Sequence, residues 1–273
     1  MSAYRRWILG LSVTMSLAQG AHATTGLFEC IMDPAKLVRL SALNAGVIEE
    51  ILVNRGERVE AGQAVAQMNA SMERATVNIL KHRLASTAQI EAQEARVRFT
   101  EVQLDRMRQL VEQNAQSAVR LEEVEYEYDI ARAQLSQAKN DQASLTAELD
   151  RAQAAYENTT IRSPVSGQVL NIALNAGENA GQDRHIMVIA KLDPLHVEAF
   201  LPIQLYSELY EGMEVAIYPE DPVGGRYSAA ITVIDPVVDT ASRTFGVRIN
   251  LQNPGGRIPG GYRCKLDLVG LAQ

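Results

Sequence analysis

The feature that most constrains this chain is a long stretch without glycine or proline, flanked by two copies of one glycine pattern. Neither residue occurs between Gly62 and Pro164. In each copy two glycines are ten residues apart, with an asparagine two residues before the second glycine and a glutamate directly after it. The copies are Gly46, Asn54, Gly56, Glu57 and Gly167, Asn175, Gly177, Glu178. This repeat predicts one small β-motif that a long insertion has split in two.

The insertion, residues 70–157, has the apolar period of a helix. Its second half forms a heptad seam with charged flanks: Leu121, Val124, Tyr128, Ala131, Leu135, Ala138, Leu145, Leu149, Ala152 and Tyr156. Its first half has a looser seam: Val77, Leu80, Leu84, Ala88, Ala95, Phe99, Val102 and Leu110. Polar residues cluster at 112–117, which predicts a turn between two antiparallel arms of about 40 residues, roughly 60 Å long. One continuous helix is the alternative.

The segments on either side of the insertion are rich in β-forming residues. The predicted core of the first is Val47, Ile48, Ile51, Leu52, Val53, Val59 and Val65. After Asp193 and Pro194, strands are predicted at residues 196–201, 215–218, 227–234, 245–250 and 264–269, with a short helix at 203–210. Five short strands and a helix fit a small β-barrel.

The predicted fold class is therefore α+β and multidomain: a split β-sandwich with an inserted antiparallel α-helical hairpin, followed by a small β-barrel. The predicted divisions are a signal peptide (1–23), an N-terminal segment (24–40), the split sandwich (41–69 and 158–192), the hairpin (70–157) and the barrel (193–273).

The first residues are typical of a secretory signal. Arg5 and Arg6 precede a short apolar run at residues 7–17, and Ala21 and Ala23 supply the small residues that a signal peptidase reads. The run is shorter than the ~20 residues that span a bilayer. An uncleaved anchor is the alternative.

Two cysteines, Cys30 and Cys264, lie near the two ends of the exported chain. An even number of cysteines in an oxidising compartment favours a disulfide between them. Two buried free thiols are the alternative.

The sequence offers no pattern for catalysis, a cofactor or a metal. The four histidines, His22, His82, His185 and His196, are dispersed, and no HxxxH or CxxC spacing occurs. The formal charge of −7 does not favour nucleic acid as a partner. We therefore expect a protein that is not an enzyme.

The split β-motif resembles a lipoyl/biotinyl-carrier domain, which has two quasi-symmetric halves. A carrier presents a lysine at the hairpin between the halves. Residues 67–71 read Gln-Met-Asn-Ala-Ser here, with no lysine, so we do not expect a carrier.

The order of signal, lipoyl-like sandwich, helical insertion and barrel resembles the periplasmic adaptors, or membrane fusion proteins, over almost the whole chain. The barrel segments at residues 235–239 (Asp-Pro-Val-Val-Asp) and 242–245 (Ser-Arg-Thr-Phe) are also similar to that family. The resemblance implies a hairpin tip that contacts an outer-membrane channel. In that family the tip has an arginine, a leucine four residues later and a serine seven residues after that, and this chain has Arg106, Leu110 and Ser117 at the same spacing. A second register replaces Ser117 with Arg120.

The resemblance further implies an adaptor in the periplasm, joining an inner-membrane transporter to an outer-membrane channel and assembling as a ring of three or six copies. A transporter of the resistance–nodulation–division type and a small-molecule cargo are the first expectation. An adaptor for an ATP-binding-cassette transporter, and a periplasmic coiled-coil chaperone or scaffold, are the alternatives. Members of the family often have a further, membrane-proximal domain. In this chain we expect the barrel and residues 24–36 to contact the transporter instead.

Overall fold

The computed structural model describes residues 26–268, so the predicted signal peptide and the end of the last predicted strand lie outside the described residues. The strands are β1 (Phe28–Ser41), β2 (Gly46–Ile51), β3 (Arg58–Val59), β4 (Ala64–Met68), β5 (Thr160–Arg162), β6 (Gly167–Ile172), β7 (Asn179–Ala180), β8 (His185–Pro202), β9 (Glu214–Pro219), β10 (Tyr227–Asp239), β11 (Thr244–Leu251) and β12 (Tyr262–Asp267). The helices are α1 (Ser71–Leu84), α2 (Ala88–Glu112) and α3 (Ala118–Glu157). The chain forms two compact units, one of Pro34–Leu192 and one of the segments before and after it.

The β part of the Pro34–Leu192 unit is a sandwich made from both halves of the split motif. One sheet has the order β5-β4-β2-β7, and β6 pairs with β3 and β8 in the other. Its core takes residues from both halves, including Ile48, Val59 and Ile189. The predictions that Val47 and Leu52 are core residues were wrong. Both are exposed, Val47 because it alternates with buried Ile48 along β2.

Each copy of the glycine pattern folds into the same turn. The backbone N–H of Asn54 donates to the Glu57 carboxylate at 2.8 Å, and that of Asn175 donates to Glu178 at 2.6 Å. The second glycine of each turn has a positive φ, +84° at Gly56 and +87° at Gly177. The recurring asparagine and glutamate therefore hold a tight turn, and the glycine supplies a conformation that other residues rarely adopt.

These two turns bind the halves of the sandwich to each other. The Gly56 N–H donates to the Val169 carbonyl at 2.8 Å, and the Val169 N–H donates to the Glu57 carbonyl at 2.9 Å. The downstream turn makes the reciprocal bonds: Gly177 N–H to the Ile48 carbonyl at 2.8 Å, and Ile48 N–H to the Glu178 carbonyl at 2.9 Å. Neither half can therefore satisfy these backbone groups without the other.

The helical insertion leaves and re-enters the sandwich at one point. The Met68 N–H donates to the Thr159 carbonyl at 2.9 Å, which ties the end of β4 to the end of α3. The Gln67 side chain donates to the Thr159 carbonyl at 3.3 Å and accepts from the Thr160 hydroxyl at 2.8 Å. The two ends of an 87-residue segment, counted from Ser71 to Glu157, are thus fixed side by side.

Helix α3 packs against both α1 and α2. Its buried residues are Val124, Ala131, Ala138 and Leu149, all from the predicted seam. At the root, Val77 and Leu80 of α1 pack with Leu149. No helix within residues 26–268 is long and apolar enough to cross a membrane.

The prediction that the first arm is one continuous helix was wrong, because residues 85–87 separate α1 from α2. Ser86 and Thr87 lie in this break, and the Thr87 hydroxyl bonds the Glu91 carboxylate at 2.6 Å, a local bond that competes with the helical backbone. The break changes the helical phase. The buried residues of α2 are Thr100 and Leu104, whereas the predicted seam residues Ala88, Ala95, Phe99 and Val102 are exposed.

The second unit is a β-barrel of strand order β1-β12-β9-β10-β11-β8, and β1 also pairs with β8. All five predicted strands are present within this unit, although β8 and β10 are longer than expected. The predicted helix at 203–210 is only a 3₁₀ turn over Ile203–Leu205. Cys30 lies opposite Cys264 in the β1–β12 pair, and a disulfide joins them.

Because the two interlocking turns are equivalent, we expect equal effects from substituting their glycines. A Cβ at Gly56 or Gly177 would meet no atom within 4 Å, so Gly56→Ala and Gly177→Ala differ from wild type only by backbone strain. Each should lower the free energy of unfolding by about 1–2 kcal/mol in chemical denaturation. Gly181→Ala is the control, since its Cβ would only touch that of Ala45 at 4.0 Å. Markedly unequal losses would contradict the equivalence of the turns.

The disulfide joins residues 234 positions apart in the chain. On the loop-entropy model, such a cross-link contributes up to roughly 5 kcal/mol to stability. We expect a reducing agent to lower the melting temperature of the wild-type protein but not that of the Cys30→Ala/Cys264→Ala variant. Two free thiols in the untreated wild-type protein, measured by non-reducing mass spectrometry, would refute the bridge.

Candidate functional site

The turn between α2 and α3 is a Schellman motif. The Ala115 N–H donates to the Leu110 carbonyl at 2.8 Å, and the Asn114 N–H donates to the Val111 carbonyl at 2.9 Å. Asn114 has a φ of +56°, the left-handed conformation that this motif requires. Asparagine is one of the few residues other than glycine that adopts it readily. The polar cluster seen in the sequence therefore ends α2 abruptly.

Ser117 begins α3 by capping it. Its backbone is extended, with φ −84° and ψ 152°, and its hydroxyl accepts from the Arg120 N–H at 3.4 Å. A serine in this position satisfies one of the backbone donors that a helix start leaves free. The structure thus gives Ser117 a local role at the turn.

An open cleft of about 370 Å³ lies between α2 and α3 next to this turn. From α2 it is lined by Gln103, Arg106, Met107 and Leu110, and from α3 by Arg120, Glu123, Val124 and Glu127. Three of these residues are apolar, and of them Val124 is buried while Met107 and Leu110 are half-buried. Its rim is charged, with arginines from both helices. We refer to it as the tip cleft.

The arginines of the tip cleft are not equivalent. Arg120 forms an ion pair with Glu123, one helical turn further along α3. Arg106 has no ion pair among residues 26–268, so its guanidinium is available to a partner.

Two other ion pairs join α2 to α3 and show which residues of the two helices lie opposite each other. Arg108 contacts Glu125 at 3.2 Å, and Lys139 contacts Glu94 at 3.7 Å. All four side chains are exposed, so each pair contributes little stability, about 0–1 kcal/mol.

The structure brings three of the four predicted tip residues into one cleft, namely Arg106, Leu110 and Arg120. Ser117 does not line the cleft. Met107 and Glu127 also line the cleft, although no sequence motif marks them. The one signal for Met107 is its position three residues before Leu110 on α2, one helical turn away. That these residues contact a channel stays a prediction.

The barrel segment that the sequence analysis singled out forms a turn. The Asp239 carboxylate accepts from the Ala241 N–H at 2.8 Å and from the Ser242 N–H at 3.2 Å. These backbone donors hold the pKa of the Asp239 carboxyl below its usual range. Arg243 follows with a φ of +56°. Asp239 therefore stabilises the β10–β11 connection.

Within the described part of the chain, no three histidine, cysteine, aspartate or glutamate residues are grouped so that they could hold a metal ion.

Comparisons with protein families match nearly all of the described chain. Residues 36–191 match a model described as a CzcB-like barrel-sandwich hybrid domain. Residues 194–270 match a model described as a CusB-like β-barrel domain. The boundary between the two matches agrees with the division of the structure at Leu192.

Two curated relatives are similar over most of this chain. The multidrug resistance protein MdtE of Escherichia coli K12 is 25% identical over 88% of the chain. The nodulation protein NolF of Rhizobium meliloti is 25% identical over 87% of it. The chain spans 63% of MdtE and 61% of NolF, which is less than two thirds of either relative.

A similar solved structure is MacA from Actinobacillus actinomycetemcomitans. It superposes with a TM-score of 0.77 at 20% identity, covering 89% of this chain and 77% of the MacA chain. At this identity the likeness shows the fold alone.

The Schellman turn gives a direct test of the tip geometry. Asn114→Val should lower the stability of the turn by about 1–2 kcal/mol, because a β-branched residue is strained in the left-handed conformation. Hydrogen exchange of the Ala115 amide should accelerate accordingly, while Asn114→Gly leaves it slow. Gln113→Val is the control, since Gln113 has a φ of −85°. Equal exchange in all three variants would contradict the motif.

Proposed function

Because the chain belongs to the membrane fusion proteins, the periplasmic adaptors of efflux systems, we propose that it joins an inner-membrane transporter to an outer-membrane channel for the efflux of small molecules. Members of this family are adaptors and not enzymes. In the proposal, the protein acts in the periplasm after cleavage of its signal peptide, and several copies assemble into a ring of three or six.

The observation that carries the proposal is the tip cleft at the far end of a helical insertion whose root is fixed to the sandwich. Helix α3 has 40 residues, so it is about 60 Å long. In this proposal the insertion is a rigid antiparallel hairpin, and its length places the tip cleft far from its root at Met68 and Thr159. Such a geometry suits a spacer that reaches a second protein.

The chemistry of the tip cleft suits the helical end of a channel protein. The last carbonyls of a helix lack partners within the helix, and a guanidinium is a strong donor to such groups. Arg106 supplies this donor without an ion pair to break, and Leu110 supplies an apolar contact beside it. Of the two registers that the resemblance allowed, we propose the one with Arg120, because Arg120 lines the cleft and Ser117 does not.

We propose a transporter of the resistance–nodulation–division type. The match of the barrel to the CusB-like model supports this choice, because that model is named for such systems. The name of the relative MdtE, a multidrug resistance protein, supports small organic molecules as cargo. Copurification of the tagged protein from membranes would identify the transporter; an ATP-binding-cassette partner would overturn this part of the proposal.

The tip contact can be tested by reversing the charge at Arg106. Arg106→Asp should abolish site-specific cross-linking of the tip to the channel and reduce drug resistance toward that of a strain without the gene. The reason is that an aspartate repels the carbonyl groups that the arginine would bind.

Arg83→Asp is the matched control, since Arg83 is an exposed residue in the last turn of α1 and does not line the tip cleft. It should leave both cross-linking and resistance unchanged. Wild-type resistance in the Arg106→Asp strain, with normal protein levels, would contradict the proposed tip contact.

A further inference from the structure

Strand β10 has a bulge opposite Gly246 of β11. The pairing of the two strands shifts register after Ile234 and resumes at Val238, so residues 235–237 of β10 face Gly246 alone. A bulge bends its strand and changes the direction of the side chains that it carries, and bulges are frequent beside functional sites. The first residue of this bulge is Asp235, and the bulge therefore sets the position of its carboxylate.

The bulge places the Asp235 carboxylate directly over Gly246. A Cβ at Gly246 would collide with this carboxylate, so only glycine leaves room for it. Phe200 of β8 lies opposite Gly246 in the β8–β11 pair. Its side chain faces away from the barrel core, since Phe200 is 68% exposed whereas its neighbour Leu201 is buried. A carboxylate and an aromatic ring thus lie beside each other on the outer surface of the barrel.

These two side chains line a small open pocket of about 60 Å³, which we call the barrel pocket. Its walls include Glu198 and Phe200 from β8, Asp235 from β10, and Gly246 and Arg248 from β11. All of its lining residues belong to these three neighbouring strands. The pocket is therefore built entirely within the barrel.

The barrel pocket has a net negative charge. Arg248 and Glu198 neutralise each other, because the guanidinium donates to the Glu198 carboxylate at 2.7 and 3.1 Å. Asp235 has no hydrogen bond or ion pair with any of residues 26–268. The other acidic, basic and histidine residues of the three strands do not line the pocket: His185, Lys191, Asp193, His196 and Asp239. The Asp235 carboxylate is thus available to a ligand.

An exposed aromatic face beside an unpaired carboxylate is suited to an organic cation. The carboxylate attracts the positive charge, and the negative face of the ring attracts it as well. No arginine or lysine among residues 26–268 lies over the Phe200 ring, so this face is not already used. Asp235 would repel an anion, and a neutral molecule would gain only the contact with the ring. The size of the pocket suits the charged head group of a ligand whose remainder lies outside.

We infer that the barrel pocket binds an alkylammonium or guanidinium group, with Asp235 as its counter-ion and Phe200 as the ring against which it packs. This inference goes beyond the proposed function and does not rest on it, because the pocket belongs to this chain alone. Two kinds of molecule present such a group: a free organic amine, and a protein with a lysine or arginine side chain.

The test is a titration of the purified, isotope-labelled protein with butylammonium chloride at constant ionic strength, followed by NMR. The amide signals of Phe200 and Gly246 should shift and saturate, whereas butan-1-ol, a neutral molecule of the same size, should not shift them. Asp235→Asn removes the charge and keeps the shape, and it should raise the dissociation constant about fivefold. Phe200→Leu keeps an apolar side chain without the aromatic face, and it should raise the dissociation constant about threefold.

Glu214→Gln is the matched control, since Glu214 is an exposed acid of β9 that does not line the pocket. This variant should bind butylammonium as the wild-type protein does. Three results would each overturn the inference. They are equal shifts with butan-1-ol, an unchanged dissociation constant in Asp235→Asn, and shifts that do not saturate.

The two kinds of ligand are distinguished by measuring drug resistance in cells that carry Asp235→Asn. If a free amine binds, resistance to cationic drugs should fall while resistance to neutral drugs of the same pump is unchanged. If a basic side chain of another protein binds, resistance to both should fall, because the protein contact is lost for every cargo. Only this second measurement rests on the proposed function. The titration contains neither transporter nor channel, so it can fail while the Arg106→Asp prediction holds.

Discussion

The structure depends on two reciprocal turns that bind the halves of the sandwich together. Each turn donates a glycine N–H to a strand of the opposite half and accepts an N–H from that same strand. The halves are more than a hundred residues apart in the chain, so nothing local holds them in place. Once they are interlocked, however, the ends of the helical insertion are fixed side by side at Met68 and Thr159. The position of the tip cleft is therefore set by backbone bonds at the other end of the helices.

The sequence predicted most clearly those features that repeat. The duplicated glycine pattern predicted the sandwich, which the barrel-sandwich family match confirms. The heptad spacing predicted a seam on α3 that contains all four buried residues of this helix, although Tyr156 at its end is exposed. The first arm was predicted less well. The heptad spacing of its apolar residues continues through residues 85–87, so the spacing does not reveal that the helix breaks there. The residues on both faces of α2 have heptad spacing, so the sequence pattern alone could not decide which face is buried.

The sequence predicted only some of the residues that line the tip cleft. The resemblance to the periplasmic adaptors pointed to Arg106 and Leu110, and both line the cleft because they lie four residues apart on α2. Whether Ser117 or Arg120 joins them depends on where α2 ends and how the chain re-enters a helix. The end of α2 is set by the left-handed conformation of Asn114, and the start of α3 is set by the cap at Ser117. A single asparagine or serine is too common in loops for the sequence alone to show where the turn lies. The ion pair between Arg120 and Glu123, which leaves Arg106 as the unpaired arginine of the tip cleft, also could not be predicted, because it depends on the side-chain conformations.

The short interruption between α1 and α2 has a consequence for how such proteins diverge. Extending the spacing of α1 without the break would turn Phe99 and Val102 toward α3 and turn Leu104 outward. The number of residues in this joint thus sets the rotation of the distal helix relative to its root. A small insertion or deletion there could exchange the face of α2 that packs against α3 for the opposite face, without altering a residue of either face.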